Sequence, residues 1–145
     1  MAAPLRAALL APQALEGRRA GGVAVVLADD AKLRELNRQW RGLDRATDVL
    51  SFGYDEGGDD EVDGDIAVSL ERVRDQAKRF RVTQGRELAR VVVHGALHLA
   101  GLDHEGAAER RRMRAREARV LRAAREAIAE LDEALKPAPR AARGR

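Results

Sequence analysis

The chain contains no cysteine. That absence excludes a disulfide framework, a thiolate nucleophile and any cysteine-ligated zinc site, so a bound metal has to be held by histidine and carboxylate. Aromatic residues make up only 3% of the composition, which leaves Leu, Val, Ile and the abundant Ala to build the core. No apolar run approaches the roughly 20 residues that a membrane-spanning helix needs, and a soluble, cytoplasmic protein with no membrane partner is expected. Acids are scarce at the N-terminus, where MAAPLRAALLAPQALEGRRAGG sets Arg6, Arg18 and Arg19 against Glu16 alone. The apolar part of that stretch is short and bounded by Pro4 and Pro12, so it reads as a first amphipathic segment of the domain rather than a cleaved signal.

What is present fits one domain. A chain of 145 residues can bury a single core, and 45% apolar with 35% charged residues is an ordinary globular composition. The net charge of +3 is a mild bias toward polyanions. Residues 1–136 are expected to form the domain, and residues 137–145 a basic, disordered tail.

The patterning predicts an α/β (α+β) fold, a small mixed sheet of three or four strands surrounded by helices. GVAVVLADD, from Gly22, reads as a buried strand running into a helix capped by Asp29 or Asp30. In AKLRELNRQW, Leu33, Leu36 and Trp40 fall on one face, expected against the sheet. DVLSFG, from Asp48, is a second strand, and YDEGGDDEVDGD, with seven acids and no base, reads as a solvated hairpin-type loop. DIAVSL is a third strand, and Ser69 can cap ERVRDQAKRF, whose Val73, Ala77 and Phe80 share a face. Thr83 opens TQGRELARVVVHGALHLA, apolar nearly all round and so a central helix, which Gly101 stops. From Ala107 to about Leu135 one Ala/Arg/Glu helix is expected, with Val120, Leu121, Ala124, Ile128, Leu131 and Leu135 in a stripe. A further edge strand can come from the N-terminal region.

All three histidines lie in HGALHLAGLDH, His94 to His104. His94 and His98, four apart on a helix, share a face and can grip one ion, and Gly101 lets the chain turn back to bring in His104. The spacing is that of the metzincin proteases, H-E-x-x-H-x-x-G-x-x-H, except that position 95 is glycine. The metal cage is kept and the general base of peptide hydrolysis is missing. Three protein ligands leave a fourth position for water, which favours a catalytic over a structural site. Asp103 and Glu105 flank the last histidine, and either can be a fourth ligand, an orienting partner of an imidazole or a general base.

With these residues in view, the chain resembles the YbeY family, whose hallmark is H-G-x-L-H-L-x-G-Y-D-H. LNRQWRGLDRATDVLSF is similar to the family's L-N-x-x-[YF]-R-x-x-D-x-x-T-D-V-L-S-F, and GDIAVS also matches, so the likeness runs from about Val23 to Glu117. The resemblance implies a zincin-like fold with a central metal-binding helix and a zinc-dependent endoribonuclease specific for single-stranded RNA. It implies a role in ribosomal RNA processing, maturation of the 16S rRNA 3′ end included, with the small ribosomal subunit and its associated proteins as partners. It makes His94, His98 and His104 the ligands of one zinc ion per chain and sets Arg41 facing the metal cleft, where a guanidinium can clamp a phosphate. Departures are Leu102 in place of tyrosine and Trp40 in place of tyrosine or phenylalanine.

With three histidines committed to the metal, the proton acceptor is either metal hydroxide itself or an acid such as Asp103. Thr47, Asp48, Ser51 and Asp65 are expected to set local geometry rather than react. RNA binding would rest on Arg34, Arg38, Arg41 and Arg45 and on Arg110, Arg111, Arg112, Arg114, Arg116 and Arg119, mainly through phosphate contacts with strong salt dependence. The missing acid after His94 argues against an amide or nucleobase hydrolase. The alternative from another class is a non-enzymatic ribosome-assembly factor whose zinc only holds the fold, which predicts unfolding on metal removal.

Overall fold

Three polar side chains, each just ahead of an amphipathic run, start three of the helices. In the computed structural model, which describes residues 9, 19–54, 61–101 and 106–136, Asp29 accepts a hydrogen bond from the Lys32 amide at 2.8 Å. Ser69 and Thr83 do the same for the Arg72 and Arg86 amides at 3.3 and 3.1 Å. Each satisfies one of the amides that a helix start leaves unpaired.

The elements are β1 (Arg19–Ala28), α1 (Asp30–Arg41), β2 (Val49–Tyr54), β3 (Glu61–Ser69), α2 (Leu70–Phe80), α3 (Gln84–Leu99), α4 (Ala107–Ala123) and α5 (Arg125–Leu135). Among the described residues the sheet has three strands in the order β1-β3-β2, with β1 parallel and β2 antiparallel to β3. The architecture is therefore mixed α/β, as expected. One face carries α1, whose Leu33 packs with Leu50 and Ala67. The other face carries α3 through Ile66, Val68, Val91, Val92 and Leu97, backed by Met113, Val120, Leu121 and Ile128. Covered on both sides, β3 buries Ile66, Ala67 and Val68 in succession. Leu9 is fully buried in the same core. None of the described helices is long and apolar enough to cross a membrane.

Four expectations need correction. The acidic stretch is not all loop, because β3 begins at Glu61 and pairs Asp63 with Tyr54 and Asp65 with Phe52. Ladder bonds to two neighbouring strands outweigh the poor strand propensity of these acids. Their carboxylates also find donors, Asp63 the Gly22 amide and Asp65 the Tyr54 hydroxyl.

The expected single C-terminal helix breaks at Ala124, at φ −95° and ψ 4°. The break lets Asp132 of α5 accept from the Gly85 amide in the first turn of α3, at 2.8 Å, while Val120, Leu121 and Ile128 stay in the core.

Trp40 touches the sheet only at its edge and is not buried against it. Leu33, Leu36 and Asn37 supply the inward face of α1, and Trp40, in the last turn over edge strand β2, is 69% exposed. Phe80, the last residue of α2, is likewise exposed, since the helix ends there at the left-handed Arg81. The proposed tail, residues 137–145, lies outside the described residues.

Candidate active site

A spacing of four on α3 sets His94 and His98 one turn apart. Their rings meet edge to face with centroids 4.8 Å apart, and their Nε2 atoms approach to 3.2 Å. The other side of His94 is fixed by Glu117 of α4, whose Oε1 lies 2.6 Å from His94 Nδ1. An ionised carboxylate only accepts, so Nδ1 donates to it and Nε2 presents its lone pair toward His98. Carboxylates in this position orient ligating imidazoles and raise their basicity. Zinc–nitrogen bonds of about 2.0–2.1 Å in a tetrahedron put two ligand nitrogens about 3.3 Å apart, so the pair is spaced as two ligands of one ion.

Leu102, Asp103, His104 and Glu105 lie outside the described residues, and among the described residues no group of three or more His, Cys, Asp or Glu side chains forms a metal cluster. The chain leaves α3 through Gly101 at φ +97°, the left-handed turn expected there.

Gly95 has a reason beyond the missing base. A Cβ built on it would lie 2.7 Å from Ile66 Cγ2, 3.0 Å from Ser51 Oγ and 3.2 Å from Val49 Cγ2. α3 rests on the sheet at this point, so the backbone that positions the histidines has no room for a side chain. A glutamate between the two histidines is excluded by packing.

Ser51 donates from Oγ to the Gly95 carbonyl at 2.9 Å, and its own carbonyl accepts from Arg41 Nη2 at 2.6 Å. Arg41 also lies over the Phe52 ring, 5.7 Å from its centroid, and Gly42 at φ 68° ends α1 and turns the chain away. Arg41, Asp48, Ser51, His94 and His98 thus line one cleft of about 960 Å³. Arg41 and the first two histidines share this cleft.

Asp48 and Thr47 hold backbone. The Asp48 carbonyl accepts from the Ser69 amide at 2.9 Å, and Thr47 Oγ1 donates to the Val49 carbonyl at 3.3 Å. The Asp48 carboxylate accepts from Gln76, which also donates to Glu87 at 2.7 Å. Glu87, buried on α3, takes two bonds from Arg90 at 3.0 and 2.7 Å. The hydrogen bond to Glu87 raises the Arg90 pKa further above its ordinary value, against the opposing effect of burial.

Of the arginines expected to meet RNA, Arg34 is engaged by Asp44 at 2.8 Å, and that bond lowers the Asp44 pKa. Arg38, Arg41 and Arg45 are exposed, as are Arg110, Arg111, Arg112, Arg114 and Arg119, while Arg116 is half-buried. The expectations had not included Glu117, Glu87 or Arg90. The available signal was an acid interrupting an apolar stripe, at Glu117 between Met113 and Val120 and at Glu87 beside Leu88.

The sequence profile of the family described as Endoribonuclease YbeY matches residues 5–125. The chain belongs to the YbeY family. A YbeY relative from Anaeromyxobacter sp. (strain Fw109-5), named Endoribonuclease YbeY, is 43% identical over 120 residues, covering 82% of this chain and 62% of that protein. One of the same name from Carboxydothermus hydrogenoformans is 45% identical over 108 residues, 74% of this chain and 76% of that one. Matches to curated YbeY proteins thus span from about three-fifths to three-quarters of their lengths. A solution structure of a Thermotoga maritima protein superposes with a TM-score of 0.60 at 32% identity, over 94% of this chain and 89% of that one.

Proposed function

We propose that this YbeY-family chain is a metal-dependent endoribonuclease that cuts single-stranded RNA, with one zinc ion held by His94, His98 and His104. The observation that carries the reading is the convergence of two Nε2 atoms at 3.2 Å with a buried carboxylate behind His94. The curated relatives' shared name supports the reaction class. A zinc ion bound there supplies Lewis-acid polarisation of a phosphoryl oxygen and a water of lowered pKa.

The residues of the chain do the rest. Glu117 keeps the proton of His94 on Nδ1 and so keeps Nε2 available as a ligand. Arg41, anchored at one nitrogen by the Ser51 carbonyl, has further N–H donors with which to neutralise charge building on the phosphate. With no room for a glutamate at position 95, Asp103 is the candidate proton acceptor supplied by the chain. A zincin-like arrangement, a ligand-bearing helix against a mixed sheet, accords with the position of α3. The exposed arginines would bind phosphate without reading bases. Selectivity would then come from the small ribosomal subunit and its proteins during cytoplasmic rRNA processing, the 16S rRNA 3′ end being the proposed site.

The test pairs elemental analysis with cleavage of a labelled single-stranded RNA by wild type, His98→Ala and Arg41→Ala. About one zinc per chain and loss of cleavage in both folded variants is the expected result. Equal cleavage by all three, or zinc binding without cleavage, overturns it in favour of an assembly factor. Cyclic-phosphate ends would identify the ribose 2′-hydroxyl as nucleophile, and their absence would point to water.

A further inference from the structure

The chain has four aromatic residues, and three of them, Trp40, Phe52 and Tyr54, collect where α1 ends over β2. Phe52 and Tyr54, two apart on a strand, share a face. Trp40 meets Phe52 edge to face, with centroids 6.4 Å apart and planes at 65°. This contact steadies the indole and leaves it 69% exposed, the most exposed of the large apolar side chains described. Leu43, three residues on and also exposed, lines the cleft.

We propose that Trp40 is a stacking platform for a base of single-stranded RNA at the rim of the cleft, next to the phosphate position of Arg41. The inference rests on the ribonuclease reading above. The occupant follows from the alternation of chemistries. A flat apolar surface stands beside Arg41, which lines the cleft together with Arg45 and itself reaches over Phe52. A chain that offers flat apolar faces and regularly spaced negative charges suits this surface, and single-stranded RNA is that chain. A buried protein-interface core would instead be depleted of charge.

Charge also sets the direction. Tyr54 is followed in the sequence by Asp55 and Glu56, and its hydroxyl is bonded to Asp65, so phosphates are disfavoured beyond it. The RNA therefore runs from Trp40 past Arg41 toward the histidines and not out beyond Tyr54.

Trp40 is the only tryptophan, so its fluorescence reports on this position alone. The experiment titrates the full-length protein with a short 2′-O-methyl oligoribonucleotide, which resists 2′-hydroxyl cleavage, and with inorganic polyphosphate, which carries charge without bases. The oligonucleotide should quench the emission and polyphosphate should not. Trp40→Ala should weaken oligonucleotide binding about 5- to 150-fold, the range of one base–aromatic stack, and leave polyphosphate binding unchanged. Trp40→Phe should restore most of the loss. Should the alanine variant unfold, quenching in the wild type and binding by Trp40→Phe decide the matter.

Unquenched emission together with wild-type affinity in Trp40→Ala overturns the proposal and leaves the indole to a protein partner, while RNA cleavage by the wild type keeps the ribonuclease reading intact. A wild type that neither binds nor cuts RNA removes that reading and this one with it.

Discussion

Replacing Gly95 by alanine tests whether this glycine is required by packing. In an open helix interior the change would add about 0.8–1 kcal/mol of stability from helix propensity. Here the new methyl would meet Ile66 Cγ2 at 2.7 Å, and Ser51 Oγ and Val49 Cγ2 at 3.0 and 3.2 Å. Ile66 is fully buried, so the contact has no flexible end to give way. Overpacking of this kind costs about 1–3 kcal/mol, and the strain should exceed the propensity gain. The expected net loss is up to about 2 kcal/mol, a fall in Tm of up to several degrees for a domain of this size. Denaturant unfolding gives the free energy directly.

Ile66→Ala, destabilising alone, should relieve part of the strain, so the double variant should lose at least about 0.5 kcal/mol less than the two single losses together. Gly95→Glu, which restores the protease-like spacing, should lose the fold without gaining peptidase activity. A Gly95→Ala protein as stable as wild type, with no coupling to Ile66, would refute the packing account and leave the glycine unexplained.

Three further expectations follow from the same geometry. Glu117→Gln should lower zinc affinity about 10- to 100-fold in chelator competition with the fold retained; unchanged affinity would remove Glu117 from the site. Arg90→Met leaves the buried Glu87 with Gln76 as its remaining hydrogen-bond donor. With Arg90 a third exposed, the loss should be about 2–3 kcal/mol, below the roughly 3–5 of a fully buried pair, as read by denaturant unfolding. The lowered Asp44 pKa means that its ion pair with Arg34 favours folding above the unfolded carboxylate pKa and is lost as pH falls through the folded value. Arg34→Ala should therefore raise the Asp44 pKa toward its ordinary value by NMR titration, and an unmoved titration would show the pair to be absent in solution.

Features legible in the sequence are those settled within a few residues. A cap needs a side-chain oxygen three positions ahead of an amide, so Ser69 and Thr83 could be named beforehand and the first cap narrowed to Asp29 or Asp30, of which Asp29 makes the bond. The facing of His94 and His98 follows from helical geometry, and the turn at Gly101 from the φ +97° that glycine tolerates. The three strands follow from their β-branched runs, and their order does not.

Tertiary structure decided whatever depends on a partner far along the chain. Glu117 reaches His94 across 23 positions, and Ser51 reaches the Gly95 carbonyl across 44. The break at Ala124 carries no glycine or proline signal, and it answers instead to Asp132 meeting Gly85 across 47 positions. Trp40 has the right spacing for a buried face and is exposed because α1 ends over an edge strand. Periodicity says which residues share a face, and only packing says whether something lies against it.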